Sequence, residues 1–367
     1  MTETLLSYLP TKVTPPGDTL RDLLEERMLT QAELSRRMGR PAAAINEIVS
    51  GKKEITEETA LELERVLQVP AQFWLARESR HRESLARARE LESRSGHIDW
   101  LNSHPIKELQ RLGRLTAGRL TPALKTQLVD ELLRFFGVAS PDACAAQYAN
   151  VQASFRRARP DKQTDSAAIT TWLRMGEIAA AKVSTAAYSA EALIRTLPAM
   201  RALTICDASE ISTQLLKLTA DAGVVLVFVP ALPGTHVAGV ARWLNDRPLI
   251  QLSLLGKWND VFWFSFFHEV AHILKHAKRS VFLDDAASGA AVETPEELEA
   301  NQFAAELLIP PAYGAEINAL GLETGEVLAF AKRLHIHPGI VVGQLQHRQR
   351  IGYAHPLTSL KARYKIN

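Results

Sequence analysis

The stretch Phe262-Trp-Phe-Ser-Phe-Phe-His-Glu-Val-Ala-His272 constrains this chain more than any other. Its aromatic start is too apolar for a solvated surface, so the element it forms is pushed into a core. Two histidines four positions apart fall on one face of a helix. Buried there without partners, the imidazoles would be costly. His268 and His272 can instead share one tetrahedral zinc ion. Glu269, beside the first histidine, can act as general base toward water. The chain therefore has to build a core around an internal helix that carries a metal site on one face.

A zinc ion needs a third protein ligand. His276 lies on the same stripe, but Ile273-Leu-Lys275 continues the helix where a three-histidine motif turns on a glycine. His276 is therefore read as supporting the ligands or as solvated. The segment Thr294-Pro-Glu-Glu-Leu-Glu-Ala-Asn-Gln-Phe-Ala-Ala-Glu-Leu-Leu-Ile-Pro310 predicts a second helix, with Thr294 as its cap and Pro295 at its first position. Glu297, Asn301, Ala304 and Leu308 share one stripe, whereas Glu299 and Glu306 fall with Gln302 on the polar face. Glu297 is the natural third ligand, and Asn301 one turn later can orient a ligand histidine. Glu297 also stands three residues after Thr294, as a capping-box glutamate does, which leaves Glu299 as the fallback ligand. Farther on, His335 and His337 precede a Pro338-Gly339 turn, where they can stabilise an oxyanion at the metal or simply be capping or surface histidines.

The rest of the chain divides by texture. Val224-Val-Leu-Val-Phe-Val229, bounded by Gly223 and Pro230, reads as a buried strand, and residues 237–244 and 249–254 as two more. Residues 98–220 place leucines at helical spacings, with Pro105, Pro122, Pro141 and Pro198 as breaks. Residues 77–95 hold six Arg and four Glu among few apolar positions, so 77–97 is read as a charged helical linker, a hinge or spacer. The expected fold class is α+β and mostly helical. It comprises an all-α domain over 14–76, a helical middle region over 98–220, a domain with a small sheet over 221–350 and a tail over 351–367. The clusters Arg156-Arg-Ala-Arg159 and Lys361-Ala-Arg-Tyr-Lys365 read as solvated loops.

Composition sets outer limits. Lys and Arg number 43 against 41 Asp and Glu, a net charge of +2, which excludes a protein that coats nucleic acid non-specifically but not a local basic patch. Cys144 and Cys206, 62 positions apart, cannot form a zinc ribbon or a disulfide framework and suit a reducing compartment. No apolar run approaches the ~20 residues that span a bilayer, and the opening Met1-Thr-Glu-Thr-Leu5 lacks the regions of a signal peptide. A cytoplasmic chain with no membrane partner is expected.

The N-terminal pattern is specific. In Leu29-Thr-Gln-Ala-Glu-Leu-Ser-Arg-Arg-Met-Gly39, Thr30 can cap a helix with Glu33 completing a capping box, and Gly39 can take the left-handed turn that ends it. A second helix starts near Pro41, carries Ile45 and Ile48 inward and ends at Ser50-Gly51. This is either an ordinary helical hairpin or a helix-turn-helix, whose second helix enters the major groove. Between residues 30 and 53, Arg36, Arg37, Arg40, Lys52 and Lys53 stand against only Glu33 and Glu47, near the ends of the recognition helix, where phosphates lie. Pro41-Ala-Ala-Ala44 supplies no base-edge hydrogen bonds, so Asn46 is the main polar candidate for reading bases. Gln31, Arg36, Arg37, Arg40, Asn46, Lys52 and Lys53 are the candidate contacts to double-stranded DNA.

The quoted residues, with Pro16-Gly-Asp-Thr-Leu-Arg21 before them and Ile55-Thr-Glu-Glu-Thr-Ala60 and Phe73-Trp-Leu75 after them, resemble the Xre/Cro-type helix-turn-helix of HigA-like antitoxin repressors over about sixty residues. His268 to His276, together with Glu297 to Pro310, resembles the ImmA/IrrE family of gluzincin-type metallopeptidases, from about Gly223 onward. That resemblance implies zinc on His268, His272 and Glu297, with Glu269 catalytic, and a protein substrate such as a partner repressor or toxin. The joint expectation is an antitoxin-type transcriptional regulator carrying a zinc endopeptidase. The alternative is a non-enzymatic antitoxin whose zinc domain senses a ligand or binds a partner. A homodimer on paired half-sites is expected.

Overall fold

The computed structural model describes residues 13–158, 166–235, 237–253, 258–276, 282–284 and 294–364. It divides into two compact units, Met1–Ile98 and Asp99–Asn367. Leu254, Arg159, Lys365 and the opening Met1–Leu5, all named in the sequence reading, lie outside the described residues.

Among the described residues the regular elements of the first unit are helices: α1 (Pro16–Glu26), α2 (Gln31–Met38), α3 (Ala42–Val49), α4 (Glu57–Leu67) and α5 (Ala71–Gly96). Thr30 caps α2, its hydroxyl accepting the Glu33 amide proton, and Gly39 closes the helix at φ 65°. Leu20, Leu34, Ile45, Ile48, Leu63 and Trp74 form one core. Gly17 lets α1 lie against α3, because a β-carbon there would stand 2.3 Å from the Ile48 carbonyl oxygen. The charged stretch read as a helical linker is helical. It lies within α5, the 26-residue helix that contributes Trp74 to the core. Glu–Arg pairs four residues apart support its exposed part, Glu78 with Arg82, Glu83 with Arg87 and Glu90 with Arg94.

The second unit opens with α6 (Ile106–Arg111), α7 (Pro122–Phe136), α8 (Pro141–Ala158), α9 (Ser166–Ala180), α10 (Ala190–Ala202) and α11 (Ala208–Asp221). The strands β1 (Val225–Phe228), β2 (Gly239–Leu244), β3 (Arg247–Leu252) and β4 (Phe282–Asp284) then form a sheet in the order β1-β3-β2-β4. β1 runs parallel to β3, and β2 is antiparallel to both β3 and β4. The remaining helices are α12 (Asn259–Lys275), α13 (Pro295–Leu308), α14 (Gly314–Ala319), α15 (Thr324–Leu334) and α16 (Pro338–His347).

Alternation along the strands makes two cores. Val225, Val227, Val240 and Leu249 face helices α6 to α9. Leu226, Ala241, Ile250 and Leu252 face α12, α15 and α16, with α10 and α11 on the same side. The stretch read as one helical middle region is therefore split between the two faces of the sheet. Glu177 of α9 ties the first face down. Its carboxylate accepts from Arg174 at 2.9 Å, Arg242 of β2 at 2.8 Å and the Tyr148 hydroxyl at 3.0 Å. Burial alone would raise the pKa of Glu177, but the two guanidiniums and the tyrosine hold it below the ordinary carboxylate range.

Four expectations need correction. Pro198 sits inside α10 rather than ending a helix; Ile194, four residues earlier, is on the exposed face, where water can serve its freed carbonyl. Residues 351–364 are no tail: Ile351, Leu357 and Tyr364 are buried in the α12 core. Lys361, read as solvated, is buried against Asp260 in the first turn of α12, with 2.6 Å between Nζ and Oδ2. Arg156 and Arg157 lie in α8 rather than in a loop. The three-residue β4 went unread, being too short to show a pattern. Among the described residues, no helix is long and apolar enough to cross a membrane.

Candidate metal centre

Helix α12 is buried along most of its length, and the side chains around its middle decide what it can do. Phe262, Trp263, Phe266, Phe267 and Val270 enter the core. That packing sinks the motif with them: His268, Glu269 and His272 are each 2% exposed or less. The two rings meet edge-on one turn apart, and their Nε2 atoms stand 2.9 Å from each other.

Helix α13 crosses this face and supplies the carboxylate. Thr294 caps it, accepting the Glu297 amide proton at 3.3 Å, while the Glu297 side chain reaches the histidines. Its Oε2 lies 3.1 Å from His268 Nε2 and its Oε1 3.7 Å from His272 Nε2. Glu299, the fallback ligand, instead engages Lys275 at 2.8 Å and His276 at 3.2 Å, which hold its pKa below the ordinary range. Asn301 Oδ1 lies 3.0 Å from His268 Nδ1, as its place on the stripe suggested. Glu306 pairs with Gln302 on the polar face.

The donor atoms of His268, His272 and Glu297 all lie within 4.8 Å of one another. Two ring nitrogens and a carboxylate so close repel one another unless a cation or a proton lies among them. Burial, and then the neighbouring His268 and His276, push the His272 pKa down to about 2, so that ring stays neutral. A neutral imidazole is the form that binds metal, and two histidine nitrogens with one carboxylate oxygen form a donor set that zinc favours. The residues fit the ion.

Glu269 is fully buried beside β2. A β-carbon at position 239 would stand 2.7 Å from its Oε1, so Gly239 makes the room that the carboxylate occupies. The sequence reading missed Gly239; a glycine inside a strand pattern is the signal that marks such a close approach. His335 ends α15 in a left-handed conformation and His337 caps α16, its Nδ1 accepting from the Gly339 amide at 3.0 Å. Both therefore serve helix ends.

On the first unit, Ala42, Ala43, Asn46 and Glu47 form the exposed side of α3, and Lys52 and Lys53 are exposed just beyond it. Gln31, at the start of α2, is half-buried. Arg36 and Arg37 are exposed and both pair with Glu33. Arg40 differs: its guanidinium is held by Glu62 of α4 at 2.5 Å and is largely covered.

Residues 20–74 match the helix-turn-helix family model. Residues 241–348, from β2 to the end of α16, match that of the IrrE N-terminal-like domain. The chain carries a helix-turn-helix domain and an IrrE-like domain. The metallopeptidase-like IrrE match contains α12 and α13, and so both halves of the donor set. Among solved structures, the chain is similar to an addiction-module antidote protein of the HigA family from Coxiella burnetii. That similarity is 22% identity over 22% of this chain and 90% of that one, at a TM-score of 0.21. It is also similar to PA4674 of Pseudomonas aeruginosa, solved with its 28-base-pair operator DNA. There the identity is 30% over 22% of this chain and 91% of that one, at a TM-score of 0.22. No curated protein matches the chain.

Proposed function

We propose that this chain is a DNA-binding transcriptional regulator of antitoxin type whose IrrE-like domain is a zinc-dependent endopeptidase acting on a partner repressor or toxin. The observation that carries the proposal is the convergence of His268, His272 and Glu297 beside the buried Glu269, on two helices inside the matched domain. His268, His272 and Glu297 hold the zinc. When bound, the ion supplies a Lewis acid toward the scissile carbonyl. Glu269 takes the proton from the attacking water and returns it to the leaving amine. Asn301 keeps the His268 ring oriented.

The head binds double-stranded DNA, as a homodimer on paired half-sites. Arg36, Arg37, Lys52 and Lys53 meet phosphates and Asn46 meets a base edge, with Gln31 at the start of α2 beside them. The alanine face of α3 gives apolar contact only, so positioning on the backbone outweighs reading of sequence. The helix-turn-helix family match over residues 20–74 supports this role for the head.

The test is Glu269→Gln in the full chain, incubated zinc-loaded with the repressor or toxin encoded beside it and read by mass spectrometry of fragments. Zinc should be retained, because Glu269 is no ligand, and cleavage should fall by ~10²–10⁴-fold. DNA binding should be unchanged. Equal cleavage, or equal induction of a reporter by both forms, would replace the peptidase with a sensor or partner-binding domain.

A further inference from the structure

Behind His272 stand two residues outside the donor set. His276 Nδ1 lies 2.8 Å from His272 Nδ1, and His276 Nε2 lies 3.2 Å from Glu299 Oε2. Lys275 holds the other oxygen of Glu299 at 2.8 Å. The His276 side chain is only 6% exposed, while Glu299 at the outer end of the chain is half-exposed.

The contacts behind the His272 ring point to one placement of protons there. A carboxylate only accepts, so His276 carries its hydrogen on Nε2 and donates it to Glu299. Its Nδ1 is then an acceptor, and His272 must donate from Nδ1. The lone pair of His272 is thereby left on Nε2, the nitrogen that faces Glu297. The same logic holds at His268, whose Nδ1 donates to Asn301 Oδ1 and whose Nε2 faces Glu297 at 3.1 Å. Helix α13 thus reaches behind both rings. Asn301 shares a face with Glu297 and reaches His268 directly. Glu299, two positions from Glu297, lies on another face and reaches His272 only through His276.

We propose that the Glu299–His276 pair is a positioning device for His272, fixing the tautomer and ring angle in which Nε2 receives the metal. This rests on the reading of His268, His272 and Glu297 as zinc ligands. Neither His276 nor Glu299 binds the ion. Lys275 holds Glu299 from the opposite side but takes no part in the tautomer.

The experiment measures zinc affinity of the full chain by competition with a chromophoric chelator, with thermal unfolding of the metal-free forms in parallel. His276→Ala should weaken zinc about 10–100-fold, as loss of a ligand's hydrogen-bond partner does. Glu299→Ala should move it the same way. Glu299→Gln, whose amide oxygen still accepts, should keep most of the affinity, and Lys275→Ala should leave it unchanged. Nitrogen-15 spectra of the zinc-loaded wild type should show His272 protonated at Nδ1. If His276→Ala and Glu299→Ala bind zinc as the wild type does, or if Nε2 of His272 carries the proton, the proposal is overturned. Should His276→Ala fail to fold, the contrast between Glu299→Ala and Glu299→Gln decides, equal affinities overturning the device. His272→Ala or Glu297→Ala retaining zinc would instead sink the ligand reading itself.

Discussion

The exposed face of the head and the metal centre solve different problems with different materials. At the metal centre each polar atom is aimed. Asn301 stands behind His268, His276 and Glu299 stand behind His272, and Gly239 yields space to Glu269. On α3 the exposed side is mostly small, and the arginines of α2 lean on Glu33 of their own helix. The proposed bond cleavage requires atoms fixed to a fraction of an ångström, and buried partners supply that. A surface that tracks phosphates requires charge at the right place and tolerates mobile side chains. The difference teaches where substitutions should hurt: inside the second unit one atom matters, and on the head the sum matters.

The largest effect is expected where a buried charge loses its partner. Glu177→Ala leaves Arg242, 6% exposed, without its carboxylate between the sheet and α9. A cost of about 3–5 kcal/mol is expected, seen as a lower unfolding temperature of the second unit with the first unchanged. Because the pKa of Glu177 is depressed in the folded state, its contribution is present above the ordinary carboxylate range and is lost as pH falls through the depressed value. The second unit should therefore soften in acid, and Glu177→Gln should soften it less steeply with pH. An unfolding temperature unmoved by Glu177→Ala would mean that the first face of the sheet does not depend on this network.

A smaller effect follows from space rather than charge. Gly239→Ala places a methyl 2.7 Å from Glu269 Oε1 and 2.8 Å from Leu252 Cδ2. Overpacking of this kind costs about 1–3 kcal/mol. It should also reduce cleavage while zinc content stays constant, because the displaced group is the proposed base and not a proposed ligand. A variant as stable and as active as the wild type would show that Glu269 has room that the structure does not show.

The smallest effects belong to the head. Each phosphate contact removed should lower the slope of log affinity against log salt by about 0.9, so Lys52→Ala and Lys53→Ala should each flatten it. Arg40→Ala should flatten it less, since Glu62 already holds that guanidinium. Binding isotherms at several salt concentrations on two unrelated duplexes check this. A loss of discrimination at constant slope would show that these residues read bases.

What could be read in advance follows the same division. The helix under His268 and the cap at Thr294 are short-range matters, set by residues three or four apart, and the sequence shows both. Val225, Val227 and Val229 announce a buried strand but not that alternate residues serve two separate cores. The pairing of Arg242 with Glu177 joins positions 65 apart, and that of Lys361 with Asp260 joins the end of the chain to the start of α12. Local pattern cannot carry such partners, which is why 351–364 looked like a tail. The ion pair of Arg40 went unread for the same reason, its partner Glu62 sitting 22 residues away.

The measurement closest to the central claim is the metal content of the purified full chain after zinc loading and dialysis, compared among wild type, His268→Ala, His272→Ala, Glu297→Ala and Glu299→Ala. The account predicts one zinc per chain in the wild type, near-complete loss in the two histidine variants, strong loss in Glu297→Ala and a weakened but measurable site in Glu299→Ala. Full occupancy in His268→Ala, or loss in Glu299→Ala with retention in Glu297→Ala, would contradict it.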